Sequence, residues 1–314
     1  MLKYICKRIL QSLLVLFIVT FSILLILHLL PGDPVVNFLG ENATPDAIAY
    51  YTKAFGLDQP VIIQYFKWLG GLLRGQLGLS ITYSKDISIM LPSRIAATLS
   101  VTIPAFLLAC VLGVTLGVLC ATHRNGVLDN VLSSIANIGI SMPSFWTAIL
   151  LVLVFAMYWK ILPVQGYTAF HQDPVQWLRH IILPVIVLSL GPTAAFTRQT
   201  RSAMLEVISQ DYIRTARAQG LTERKITVGH ALRNAMIPLI TMMGGSIGGL
   251  VGGTVLIEQV FTIPGMGTLM ISAVSNSDYF VVMDTILVMA LFVTTANLIV
   301  DIVYGFVDPR IRIA

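Results

Sequence analysis

The sequence predicts an all-α polytopic membrane protein with six transmembrane helices and both termini cytoplasmic. Three observations lead there. Of 314 residues, 56% are hydrophobic and 11% are charged, whereas a soluble domain carries about 25% charged residues. The mean hydropathy of +0.84 agrees. Six apolar runs follow one another: Ile9–Leu30, Ala96–Ala121, Val131–Tyr158, Ile181–Phe196, Pro238–Ile257 and Val281–Val303. A bilayer core takes about 20 residues per helix.

The first run follows a basic start, Lys3, Lys7 and Arg8, as a secretory leader does. It is longer than the usual apolar stretch of about 7–15 residues, and a Pro31-Gly32-Asp33-Pro34 turn replaces a small-residue cleavage site. It is expected to stay as the first span. The fourth run is the shortest and holds Pro184 and Pro192. Membrane helices tolerate proline where neighbours satisfy the freed carbonyls.

Basic residues set the orientation. The N-terminus, Arg124, the connection between the fourth and fifth runs (Arg198, Arg201, Arg214, Arg217, Arg224, Lys225 and Arg233) and the tail (Arg310 and Arg312) hold 13 of the 20 Lys and Arg. Cytoplasmic loops are the ones enriched in Lys and Arg. The same distribution explains the net charge of +5 without nucleic acid. Between the first two runs lies an outer loop, about 31–94. Its Ile62, Ile63, Phe66, Leu69, Leu72 and Leu73 recur at helical spacing, which predicts a helix on the membrane surface or against the bundle. A lid over an outer mouth and plain packing both fit it. The chain is expected to form one membrane domain, 1–314.

The basic connection from about 199 to 236 carries the most information. Asp211 and Arg214 stand at i,i+3 and can pair on one helical face. Thr215, Ala216 and Ala218 are small, so another protein's surface can come near the backbone there. Gly220 can end the helix in a left-handed cap. A second helical stretch starts near Thr222. The expected result is a helical elbow projecting from the bilayer, though an ordinary basic loop has the same composition.

This stretch resembles the EAA loop of the membrane subunits of ABC importers. The whole chain is similar to the peptide/nickel branch of those permeases. The resemblance rests on Leu30-Pro31-Gly32-Asp33-Pro34, Gly56-Leu57-Asp58-Gln59-Pro60, Gly78-Leu79-Ser80, Ser141-Met142-Pro143-Ser144-Phe145-Trp146, Gly166-Tyr167, Pro264-Gly265-Met266-Gly267, Asp278-Tyr279 and Asp308-Pro309-Arg310-Ile311-Arg312, in this order. Arg214-Thr215-Ala216 stands where the general pattern has Glu-Ala-Ala. The resemblance implies a type I ABC importer permease fold in a bacterial or archaeal cytoplasmic membrane. It implies ATPase coupling through Arg214, Thr215, Ala216, Arg217 and Gly220. It also implies a second homologous permease, two cytoplasmic ATPase subunits and an extracytoplasmic substrate-binding protein. ATP and Mg would be used by the partner ATPases, with no cofactor on this chain. Di- or oligopeptides are the expected cargo, with nickel or a metal chelate as the alternative.

Three further features bear on transport. Gly244-Gly245, Gly248-Gly249 and Gly252-Gly253 repeat every four residues in the fifth run. A small-xxx-small face lets a second helix approach closely, so Gly245, Gly249 and Gly253 are candidates for packing between permeases, or for packing within one. Charges inside membrane runs are candidates for function, here Glu258, Asp284 and Asp301. Asn137, Ser141 and Ser144 in the third run can hydrogen-bond a peptide or a neighbouring helix. Asn137, Ser141, Glu258 and Asp284 are the candidate pathway residues.

No GxxxxGK[ST] phosphate loop occurs, and no HExxH. The chain is therefore not expected to be an enzyme. His28, His123, His171, His180 and His230 are scattered, and Cys6, Cys110 and Cys120 form no CxxC pair. No metal site is expected. An autonomous ion-coupled carrier is the alternative of another class. It would need a filter or inverted broken helices, which the sequence does not display.

Overall fold

The computed structural model describes residues 2–29, 33–80 and 82–307. In chain order the α-helices are α1 (Leu2–Leu29), α2 (Pro34–Leu39), α3 (Pro45–Ala54), α4 (Val61–Leu73), α5 (Ile87–Thr122), α6 (Val127–Ser141), α7 (Ser144–Leu151), α8 (Pro174–Ile208), α9 (Asp211–Ala218), α10 (Arg233–Phe261), α11 (Met266–Ser275) and α12 (Tyr279–Val307). Wider π-type turns extend α7 through Val152–Tyr158 and precede α10 over Lys225–Leu232. Among the described residues the one extended pairing is an isolated bridge, Leu79 to Asp86.

Several helix starts follow from one local rule. Asp33-Pro34, Thr44-Pro45 and Asp173-Pro174 each place an oxygen-bearing cap before a proline at the first helical position. The cap accepts a free backbone N–H, and proline has none to waste there. Asp173 accepts from Val175 and Gln176 at 2.9 and 3.0 Å.

Among the described residues five helices are long and apolar enough to cross a membrane, and α6 with α7 makes a sixth span if the bent pair counts as one. The expected third span is thus broken, with a 106° bend between Ser141 and Ser144. Pro143 is the cause. It cannot donate to Gly139, and it pushes Met142 into extended geometry, ψ 128°. The fourth and fifth spans run beyond their apolar cores. α8 keeps Pro184 and Pro192 inside 35 residues, and the fifth helix begins at Lys225 rather than Pro238. The coupling loop expected over 199–236 is therefore mostly helix. Its non-helical part is a short turn on either side of α9.

The chain divides into two compact units. One comprises 99–263 with 295–307. Its core gathers Ala109, Phe196, Met204, Ile213, Ile226, Ala231, Leu239 and Met243. Glycines let α5 reach α8: a Cβ on Gly113 would sit 2.5 Å from Phe196 Cβ, and one on Gly117 would overlap Thr200 Cβ. Close backbone approach of this kind is how membrane helices gain packing energy.

The other unit comprises 2–98 with 264–294. Its core holds Leu24, Leu27, Tyr65, Ile87, Leu91, Leu269, Val281 and Met283. The helix expected over Ile62–Leu73 is α4. Its Tyr65 hydroxyl meets the Thr20 hydroxyl at 2.8 Å, and its ring stands edge-on to Phe17 and Phe21. Two distant sequence motifs meet at Asp278. Its Oδ2 accepts from Ser80 Oγ at 2.6 Å and from Thr82 N at 2.9 Å. Leu30-Pro31-Gly32, the tail motif Asp308–Arg312 and the Asp301 side chain lie outside the described residues.

Candidate functional site

The elbow is built on α9. Ile213 and Ala216, three residues apart, turn inward and are buried at 0% and 7% exposure. They join the core of Phe196, Met204, Ile226 and Ala231. Ala216 is thus not a surface on which another protein could approach, contrary to the sequence expectation. Its small side chain serves the seating of α9 on its own unit. Arg214, Thr215, Arg217 and Gly220 remain on the exposed face.

The end of α9 follows the expected left-handed cap. Gly220 has φ +78°. Its N–H donates to Arg217 O at 3.0 Å, and the Leu221 N–H donates to Ala216 O at 3.3 Å. These are the two bonds of a Schellman motif, and Leu221 packs on the same core as Ala216, as that motif favours. Across the turn Arg217 grips Glu223 with Nε to Oε1 at 2.7 Å and Nη2 to Oε2 at 3.2 Å. The guanidinium holds the Glu223 carboxyl below the usual glutamate range. The expected Asp211–Arg214 pair is there at 3.6 Å, with both side chains largely in water. Such a pair adds little. Asn234 Nδ2 donates to the Tyr212 hydroxyl at 2.8 Å, tying α9 to the start of α10.

Two clefts lie in the same unit. The first, of about 370 Å³, is walled by Gly139, Ile140, Met142, Ser144 and Thr147 at the α6–α7 break, by α8 around Gly191 and Pro192, and by Ser246, Gly249 and Gly253 of α10. Proline at 143 and 192 leaves backbone carbonyls without their helical donors here. The second, of about 290 Å³, is polar: Asp129, Asn130, Ser133, Asn137, Thr197, Arg198 and Arg201 line it.

The structure therefore separates the sequence-predicted pathway residues. Asn137 enters the polar cleft. Ser141 spends its hydroxyl on the Asn137 carbonyl at 3.0 Å, while its neighbour Ser144 lines the larger cleft. Glu258 and Asp284 are buried at 1% and 0% exposure, not set at a hydrated surface. Asp284 belongs to the other unit, where its Oδ1 accepts from Trp68 Nε1 at 2.9 Å. Arg198, Arg201 and Asp129 were not singled out as cleft residues. The signal was an acidic residue near the start of the third run, 72 positions from its basic partner.

The glycines of α10 do not share one role. Among the described residues Gly245 and Gly249 meet nothing within 4 Å where a Cβ would stand. Gly253 instead faces Leu188 Cδ1 of α8 at 3.3 Å, a close approach inside the chain. Gly244 likewise packs on Val300 of α12.

A family model described as "Binding-protein-dependent transport system inner membrane component" matches residues 113–313, and its N-terminal companion matches residues 1–102. A putative peptide transport system permease of Brucella abortus (strain 2308) is 39% identical, with 99% of each chain covered. A putative peptide permease of Brucella suis biovar 1 (strain 1330) is 41% identical over the full length of both. The dipeptide transport system permease DppB of Escherichia coli (strain K12) is 36% identical, with 99% of each covered. Among solved structures, a chain of the inward-facing MetNI methionine ABC transporter superposes with a TM-score of 0.57 at 21% identity, covering 71% of this chain and 98% of that one. That likeness is one of fold. With two family models spanning nearly the whole sequence and relatives alike from end to end, the chain belongs to the family of binding-protein-dependent transport system inner membrane components.

Proposed function

We propose that this chain is the permease subunit of an ATP-driven importer of di- and oligopeptides. The observation that carries the cargo class is the end-to-end similarity to permeases named for peptides and dipeptides. Nickel import has no such support among them. The chain works as a conduit and lever and hydrolyses nothing itself. A second, homologous permease completes the pathway, two cytoplasmic ATPases bind ATP and Mg, and an extracytoplasmic binding protein delivers cargo. Both termini and α9 face the cytoplasm.

The exposed face of α9, with Arg214, Thr215, Arg217 and Gly220, is where the ATPase pushes. Ile213 and Ala216 behind it pass the movement to the core around Phe196 and Met204. A rigid elbow on a packed core suits this task, because a loose loop would absorb the displacement. The open strip of α10 at Gly245 and Gly249 is where the second permease comes near, and the cleft at the α6–α7 break offers unpaired carbonyls to a peptide backbone. Peptide N–H groups can bond there without a charged side chain.

The test is purification of the assembled complex from its native membrane, followed by reconstitution in vesicles with binding protein outside and ATP inside. The expected result is ATP-dependent uptake of labelled dipeptides and tripeptides, with two ATPases and a second permease in the purified material. Uptake of nickel chelates alone would replace the cargo. Stable transport by the isolated chain without ATP would overturn the importer.

A further inference from the structure

The unit of residues 2–98 and 264–294 contains a cavity of about 280 Å³ that no transport step above uses. Its walls are mainly apolar and aromatic, with Leu24, Trp68, Tyr279, Phe280 and Met283 among them. Lys67 stands at its edge, is exposed, and makes no ion pair or hydrogen bond among the described residues. None of the described lining residues is acidic.

Its depth in the membrane follows from two spans. Leu24 lies five residues before the end of the α1 span at Leu29, roughly 7 Å along the helix. Met283 lies four residues inside the α12 span that begins at Tyr279, roughly 6 Å. The cavity thus sits where acyl chains meet headgroups, the level at which Trp and Tyr concentrate. α4 supports this placement. Ile62, Phe66 and Leu73 on α4 are exposed large apolar side chains beside the cations Lys67 and Arg74. A helix with that pattern lies in the interface, its apolar side among lipid chains and its cations reaching for headgroups.

We infer that this cavity is a binding site for an anionic phospholipid, with the headgroup-proximal part of an acyl chain between Trp68, Phe280 and Met283 and the phosphate on Lys67. Charge selects the lipid. An unpaired cation over an apolar slot attracts an anionic headgroup, and a zwitterionic one gains less from it. Asp284 acts behind the wall: its hydrogen bond to Trp68 Nε1 fixes the indole that forms one side of the slot. The lipid belongs to the leaflet at the α1 C-terminal end, which is the outer leaflet on the orientation proposed above. The inference does not depend on the cargo.

The test is native mass spectrometry of the assembled complex, delipidated and incubated with equal amounts of phosphatidylglycerol, phosphatidylethanolamine or phosphatidylcholine. Phosphatidylglycerol adducts should exceed phosphatidylcholine adducts at least threefold. Lys67→Gln should remove that preference and Lys67→Arg should keep it. Leu77→Trp, which fills the slot, should abolish the adduct. Lys67 is exposed, so the charge series stands even if the tryptophan variant fails to fold. Equal adducts of all three lipids on the unaltered complex, or an anionic preference that survives Lys67→Gln, overturns the site. So does displacement of the adduct by dipeptides, which would make the slot a cargo site.

Discussion

Arg201 holds Asp129 by two hydrogen bonds, Nε to Oδ1 at 2.6 Å and Nη2 to Oδ2 at 2.7 Å, joining α8 to the start of α6. Asn125 N–H and Ser133 Oγ add two more donors to the same carboxylate. The Asp129 side chain is 2% exposed and that of Arg201 30%. Truncating one member of a buried pair leaves the other charge uncompensated, at a cost of about 3 kcal/mol. Arg201→Met should therefore lower the thermal midpoint of the detergent-purified complex more than the double substitution Asp129→Asn with Arg201→Met. If the double variant is the less stable, the pair is not what joins these helices.

Gly117 on α5 is a site of contact rather than of flexibility. A Cβ there would overlap Thr200 Cβ and lie 2.7 Å from Thr197 O. Backbone cannot yield as a long side chain can, so Gly117→Val should cost about 1–3 kcal/mol by overpacking. Gly245→Ala on α10 meets nothing within 4 Å among the described residues and should leave the chain's own stability unchanged. Its effect should appear instead as reduced recovery of the second permease during co-purification. Equal stability losses for both substitutions would contradict this assignment of the two glycines.

The sequence shows some of these relationships and hides others, for physical reasons. Proline marks the α6–α7 break, because Met142 before Pro143 is pushed out of helical geometry. The ends of α8 and α10 are not visible in hydropathy. Hydropathy reports the length of an apolar run, whereas hydrogen bonding carries α8 on past Arg198 and Arg201 and starts the fifth span back at Lys225. Gly220 is legible because its positive φ is a local backbone need. The inward turn of Ala216 is not, since only the core of Phe196 and Met204 decides which side of α9 is buried. Asp129 with Arg201, and Ser80 with Asp278, are pairings at long sequence separation. Neither partner carries a mark of the other.

The Arg217–Glu223 clamp predicts a pH range for the elbow. Arg217 lowers the Glu223 pKa, so the folded state favours the carboxylate and binds its proton less readily than the unfolded chain. The clamp is then complete above the ordinary glutamate value of about 4.3 and is lost as pH falls through the lower folded value. Amide exchange at Leu221–Arg224, corrected for intrinsic rates, should not change between pH 7 and pH 5. Glu223→Gln should raise it at all these pH values. Faster exchange in the unaltered complex by pH 5.5 would show that the clamp does not hold the turn.

Gly220 separates conformation from contact at the elbow. Its φ of +78° is hostile to L side chains, yet nothing lies within 4 Å of where a Cβ would stand. Within this chain's described residues, substitution is therefore a question of backbone alone, at roughly 1–2 kcal/mol for an ordinary residue and less for Asn. A β-branched residue is the worst fit. ATP-driven uptake at equal membrane abundance should fall in the order Gly, Asn, Ala, Val, with the Schellman bonds to Arg217 and Ala216 lost last in Asn. Normal uptake with Gly220→Val would remove the need for a sharp elbow. Equal inactivation by Asn, Ala and Val would mean that the ATPase packs directly on Gly220, because a purely conformational penalty must grade with the residue.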